Sequence, residues 1–280
     1  MENKKYTVDQ LKEKSKKIRK DILIMLNKAL SGHTGGSLSC VEILVTLYFK
    51  VMKLKRENPY WEERDRFVLS KGHAAPALYA VLSDIGFIPR EELWTLRRVG
   101  SRLQGHPNSR LVSGVEISTG SLGQGLSIAN GMALGLRLDG LKSHVFCMLG
   151  DGELQEGEIW EAAMTASHYK LSNVTAIVDY NKIQLDGFLT NVMNVEPIGE
   201  KFRSFGWNVF EVDGHNIEQL IEVLSYDNKA DSSIETKGKP KIVIAHTIKG
   251  KGVSFMENKV EFHGRAPTDQ ELKRALKELE

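Results

Sequence analysis

Apolar residues along this chain fall into two alternating patterns. Short apolar runs at 65–69, 145–149, 174–178, 208–212 and 241–245 read as strands of a buried sheet. Between them, apolar residues recur at helical spacing. Leu11, Ile18, Ile22 and Met25 predict a helix over 7–30, opened by the capping box Thr7-Val8-Asp9-Gln10. Further helical stretches are predicted at 40–52, from 77 onward, after Pro89, from Gly120-Ser121-Leu122-Gly123-Gln124-Gly125 onward, and at 156–171 and 218–224. Thr268-Asp269-Gln270-Glu271 is a second capping box and opens a terminal helix over 268–279. Strands alternating with helices predict an α/β chain with a doubly wound, mostly parallel sheet and helices on both faces. With no repeat and no linker, 1–280 reads as one domain, with helices 7–30 and 268–279 as extensions.

Glycine marks the breaks. The first helix is predicted to stop at 31–37, where Gly32, Gly35 and Gly36 permit left-handed backbone and close approach to a ligand. The helix after Gly120 carries small residues (Ser127, Ala129, Gly131, Ala133, Gly135) suited to tight packing. Its first turn offers free N–H groups and a positive dipole end to a phosphate or a ring. The polar segment 227–239 reads as a surface loop.

The most informative stretch is 144–194. One apolar run ends on Gly150-Asp151-Gly152, a helix follows, and a second run ends on Asp179-Tyr180-Asn181. In a βαβ unit both strand ends share one sheet edge, the edge at which open α/β sheets bind ligands. A carboxylate and an amide oxygen meeting there suit Mg²⁺. A dinucleotide fingerprint fails because Gln155 stands where a third glycine is required. An EF-hand loop fails twice, at Glu156 and Ala162. The bland reading, an acidic turn with no ligand, suits Gly150-Asp151-Gly152 alone, and Asn181 at the next strand end weakens it.

Composition narrows the function classes. A net charge of +2 gives no general reason to expect nucleic acid or an anionic membrane as partner. The lysines at 12, 16 and 20 are interspersed with acids and read as a solvated helix face. Cys40 and Cys147 lie in apolar runs without metal spacing, as core thiols of a reducing compartment do, and the run 22–26 is too short for a leader or a span. A soluble, cytoplasmic protein is the expectation. Of eight histidines, five adjoin glycine: His33, His73, His106, His215 and His263. Singly such pairs are turns. Converging on one pocket, neutral imidazoles would suit a polyhydroxylated substrate.

These blocks, taken in order, resemble the transketolase family. They are Ser31-Gly32-His33, Ser70-Lys71-Gly72-His73, Gly105-His106-Pro107, Thr119 through Gly125, Gly150-Asp151-Gly152 with Glu156-Gly157, Asn181, and Lys249-Gly250 through Phe262-His263-Gly264. The resemblance implies thiamine diphosphate with Mg²⁺, or with Ca²⁺ or Mn²⁺ in its place. Asp151, Asn181 and the backbone carbonyl of Ile183 would hold the metal. Gly150 and Gly152 would lie at the diphosphate, with the Gly152 N–H on a phosphate. Gly120, Ser121 and Leu122 would meet the aminopyrimidine. His73 and His263 would flank the diphosphate and thiazolium, His33 and His106 would bind the donor sugar, and Lys249 would lie near the cofactor entrance. Glu156 would join an acidic relay across a subunit interface. Thr34 and Gly36 depart from the residues frequent in the family, proline and serine, and imply local loop differences.

The resemblance covers the first domain of a transketolase. The glutamate that activates the cofactor belongs, in the family, to a second, pyrimidine-binding domain. It therefore implies a split enzyme of the pentose phosphate pathway type, with a partner subunit carrying the pyrimidine-binding and C-terminal domains. The expected assembly is an α2β2 heterotetramer acting on sugar phosphates. The alternatives are the alpha subunit of a 2-oxo-acid dehydrogenase, which the Gly-His set argues against, and a non-catalytic relative of the same fold.

Overall fold

The structure is a computed structural model describing residues 6–225 and 238–280. Its ten α-helices are α1 (Val8–Ala29), α2 (Thr34–Ser39), α3 (Val41–Thr46), α4 (Ala75–Ile85), α5 (Gln124–Leu138), α6 (Gly157–His168), α7 (Leu189–Val192), α8 (Ile198–Ser204), α9 (Ile217–Ser225) and α10 (Asp269–Glu278). Five strands, β1 (Arg66–Leu69), β2 (Val145–Gly150), β3 (Val174–Tyr180), β4 (Asn208–Asp213) and β5 (Lys241–His246), form one sheet in the order β1-β2-β3-β5-β4. Every pairing is parallel. The predicted runs each agree with a strand to within a residue or two. Both capping boxes form, with Gln10 N–H donating to Thr7 Oγ1 and Glu271 N–H to Thr268 Oγ1.

Register brings the site together. Gly150 pairs with Asp179, and Tyr180 pairs with His246, so Asp151, Asn181 and Thr247 emerge at one edge. Two hydrophobic layers sandwich the sheet. Phe67, Met148 and Ile177 pack with α1, α3, α4, α9 and α10, while Cys147, Ala176 and Ile244 pack with α5, α6 and α8. Each large aliphatic side chain so buried contributes about 1.5–3 kcal/mol. After β1 and β5 the chain departs to the first of these faces, and after β2 and β3 to the second. Departures to opposite faces open crevices beside β2 and β3.

Several expectations need correction. The segment 31–37 is not wholly a break, because helix resumes at Thr34 and runs through both glycines. The helix predicted at 40–52 is α3 followed by a π-helical turn at Leu47–Val51. Gly35 is needed for proximity: a side chain there would meet Lys249 Cγ at 2.8 Å and the Phe262 carbonyl at 3.1 Å. On α5 only part of the small face packs. Ala129 and Ala133 are buried, whereas Ser127 and Gly131 are exposed and nothing lies within 4 Å of a Cβ built at Gly131 or Gly135. Of the loop read at 227–239, positions 227–237 lie outside the described residues.

Candidate functional site

The end of β2 delivers Asp151 into a one-turn 3-10 helix (Gly152–Gln155), where it is 3% exposed. Its Oδ1 accepts from Gly152 N–H at 2.8 Å, and its Oδ2 accepts from the Lys182 N–H. Lys182 reaches it by turning into left-handed backbone at φ 68°. Asn181, at the end of β3, donates from Nδ2 to Asp179 at 3.3 Å and accepts the Ile183 N–H on Oδ1 at 3.2 Å. Asp151, Asn181 and Ile183 line one cavity of about 270 Å³ with Lys71, His73 and His263.

Asp179 forms the floor. Fully buried, it accepts from Ser39 Oγ at 2.6 Å and from Lys71 Nζ, Thr247 Oγ1 and Asn181 Nδ2, so residues of α2 and of the β1, β3 and β5 ends meet on one carboxylate. Burial opposes its charge, but Lys71 beside it holds the carboxyl below its usual range. Donation of Nδ2 to Asp179 fixes the flip of the Asn181 amide and directs Oδ1 elsewhere.

Two amides at the start of α5 are already taken. Buried Glu153 accepts Gly123 N–H and Gly150 N–H, each at 2.9 Å, and the Ser70 hydroxyl. Gly125 N–H donates to Ser70 Oγ at 3.1 Å. The helix end expected to seat a phosphate or a ring therefore seats a carboxylate of the chain itself.

The histidines do converge. Around His33 lie the rings of His73 at 5.1 Å, His263 at 5.7 Å and His106 at 6.4 Å between centroids, and His73 is 5.5 Å from His263. All are held neutral. Burial, with nearby cations adding to it, lowers His33 to about 4 and His263 to about 3, and lowers His73 and His106 as well. Lys249, 2% exposed, donates to His263 Nδ1 and to the Ile183 carbonyl, both at 2.7 Å. Burial lowers Lys249 to about 8, so at neutral pH it remains a cation and His263 carries its proton on Nε2.

The arrangement fits a hard divalent cation. Burial, together with the Asp179 carboxylate, pushes Asp151 up to about 7, and among the described residues Asp151 has no lysine or arginine within ion-pair distance. Oxygen donors around an uncompensated carboxylate suit Mg²⁺. Three expectations need adjustment. The Ile183 carbonyl already accepts Lys249. The Gly152 N–H is turned to Asp151 rather than outward. Of Gly120, Ser121 and Leu122 only Leu122 reaches the cavity wall, Gly120 instead packing on the His106 ring. Gly150 and Glu156 line the cavity, while His33 and His106 stand beyond it in the cluster. His215 lies apart, donating from Nδ1 to Glu42 at 2.9 Å. Sequence reasoning passed over Lys71, Asp179, Glu153 and Arg97 as site residues. Lys71 and Asp179 were recoverable as charges set at predicted strand ends.

Comparison with known proteins agrees. The family model described as transketolase, thiamine diphosphate binding domain, matches residues 11–279. The chain is 45% identical over 270 residues to the 6-deoxy-6-sulfo-D-fructose transketolase subunit SqwG of Clostridium sp. (strain MSTE9), covering 96% of each chain. It is 42% identical over 275 residues to one subunit of the apulose-4-phosphate transketolase of Phocaeicola vulgatus, covering 97% of this chain and 94% of that one. Among solved structures, Campylobacter jejuni transketolase superposes with a TM-score of 0.88 at 32% identity over 98% of this chain. The chain spans only 43% of that transketolase, against nearly the full length of the two named subunits. This chain belongs to the transketolase thiamine-diphosphate-binding domain family.

Proposed function

We propose that this chain is the N-terminal, thiamine-diphosphate-binding subunit of a split transketolase. It transfers a two-carbon ketol unit from a ketose phosphate to an aldose phosphate, together with a second subunit carrying the pyrimidine-binding and C-terminal domains. The observation that carries the reading is the cluster of four neutral histidines beside the Asp151–Asn181 cavity. The names of the two related subunits support a divided enzyme.

Within this proposal, Asp151, Asn181 and the Ile183 carbonyl would hold Mg²⁺, or Ca²⁺ or Mn²⁺ in its place, and Lys249 already donates to that carbonyl. When bound, thiamine diphosphate supplies a nucleophilic carbon; the residues of this chain orient it and manage protons. His33 and His106 hydrogen-bond the donor's carbonyl and hydroxyls. His263, with its proton on Nε2, donates to substrate oxygen and takes the proton back. His73 and Leu122 wall the cofactor, and Gly120 and Ser121 shape the approach to it. Glu156 belongs to the proposed contact between the two chains. An α2β2 assembly, a pentose phosphate role and a cytoplasmic location are parts of the same reading. Among the described residues no helix is long and apolar enough to cross a membrane.

The deciding experiment is co-purification with a candidate second subunit, followed by ketol-transfer assays on each chain alone and on both. The assays use a phosphorylated and a sulfonated ketose as donors. Turnover requiring both chains is the expected result. Full turnover by this chain alone, or 2-oxo-acid decarboxylation by the pair without ketol transfer, would refute it.

A further inference from the structure

Beside the histidine cluster stands an arginine held at evident cost. Arg97 adopts left-handed backbone at φ 61°, pinned by its N–H to the Leu103 carbonyl at 2.9 Å. A slot is cleared for its guanidinium, since a side chain at Gly105 would meet it at 2.8 Å. Nη1 donates to Ser31 Oγ at 3.0 Å, and Nη2 lies 3.5 Å from Nδ1 of His33. Its Nε is buried without a hydrogen-bond partner. Among the described residues no carboxylate lies within ion-pair distance of it, although other arginines of the chain, such as Arg19, Arg64 and Arg102, have one. Unusual backbone, an unsatisfied buried donor and a missing counter-ion all oppose stability, so folding alone does not account for this placement.

We propose that Arg97 is a positioning residue for His33: its guanidinium fixes the imidazole as the Nε2–H tautomer and keeps it a neutral hydrogen-bond donor. A guanidinium has donors only, so the His33 nitrogen facing it must be the acceptor. The single proton of the neutral ring then lies on Nε2, at the opposite edge of the ring. The groups facing His33 reinforce neutrality. They are Arg97, Lys71 and Lys249 as cations and His73, His106 and His263 as imidazoles, and none is a carboxylate. His33 and His263 are thus set alike, each with a cation on Nδ1. The functional consequence, a donor aimed at the sugar carbonyl, rests on the transketolase reading; the tautomer does not.

The test is long-range ¹H–¹⁵N NMR on the full chain, with the His33 signals assigned by loss in His33→Gln. An unprotonated Nδ1 and protonated Nε2 at pH 7 are expected. In Arg97→Met the protonation midpoint of His33 should rise by about one pH unit or more, the scale for removing an adjacent like charge. Arg97→Lys, which restores the charge, should return the midpoint most of the way. In the two-chain enzyme Arg97→Met should lower kcat/KM for the ketose about threefold more at pH 4.5 than at pH 7.5 for a one-unit rise. A proton on Nδ1 in the wild type, or a midpoint unmoved in Arg97→Met, would overturn the proposal. Should Arg97→Met fail to fold, the wild-type tautomer still decides. The correct tautomer without ketol transfer by the two chains would refute the transketolase reading and leave the assignment of Arg97 standing.

Discussion

Two buried ionic clusters flank the carboxyl edge of the sheet, and they are built on opposite principles. In the first, Arg19 donates to Glu42 at 2.5 and 2.7 Å and to the carbonyls of Lys251 and Leu38. His215 donates to Glu42 from Nδ1 and accepts the Ile248 N–H on Nε2 at 2.9 Å. Each group spends its hydrogen-bonding capacity within the chain, and the cluster ties α1, α3 and the turns after β4 and β5 together. The second cluster, Asp179 with Lys71, Ser39, Thr247 and Asn181, is equally buried but opens onto a cavity. Around it stand groups with capacity left over: Asp151, the far nitrogens of His33 and His263, and Arg97. A closed network is a fastener; an open one is a site. Gly-His occurs in both, at His215 and at His33, so the dipeptide does not separate them and the accounting of partners does.

The contrast can be tested from both sides. Glu42→Ala should cost most, about 3–5 kcal/mol of stability in denaturant melts, because it strands a buried guanidinium. A stability loss near zero would show that the first cluster is no fastener. Asp151→Ala should weaken Mg²⁺-dependent thiamine diphosphate binding about 100-fold or more in titration calorimetry while leaving the melting curve nearly unchanged. Unfolding on this substitution would collapse the distinction.

The pH dependence separates the clusters next. Against burial, Arg19 and the His215 hydrogen bond hold Glu42 at about 2, below its ordinary 4.5. A lowered carboxyl contributes stability above its unfolded value, and that contribution is lost as pH falls from about 4.5 through 2. His33 is lowered from 6.5 to about 4. Below pH 6.5 the unfolded chain takes up a proton that the folded ring refuses, so stability due to neutral His33 fades between 6.5 and 4. Melts of His33→Gln should part from those of wild type as pH falls from 6.5 to 4, whereas Glu42→Gln, less stable than wild type at neutral pH, should approach it only as pH falls from about 4.5 through 2. The smallest effect is expected for His106→Gln. Its stability should stay within about 0.5 kcal/mol of wild type, while kcat/KM for the ketose in the two-chain enzyme falls.

Strands and motif order were legible in the sequence because both depend on local pattern. Buried parallel strands read as apolar runs, and residues at their ends inherit their position from the sheet. That sufficed to bring Asp151 to Asn181 and to gather four histidines. What escaped depended on long-range geometry. Glu153 looks like any acid in a turn, and only folding shows it caught between the end of β2 and the start of α5. Arg97 sits in an irregular segment where no periodicity operates, and its importance comes from Ser31 and Gly105 meeting it from distant parts of the chain. The Ile183 carbonyl carries no side-chain mark and is reached from the sequence only through the family resemblance.

Glu153 has one further consequence. Its carboxylate takes the Gly123 amide where α5 begins and the Gly150 amide at the end of β2, and so places a negative charge of the chain's own at the positive end of that helix. An anionic group entering at this edge therefore meets the chain's own cations, Lys71 and Lys249 in the cavity wall, rather than the start of a helix.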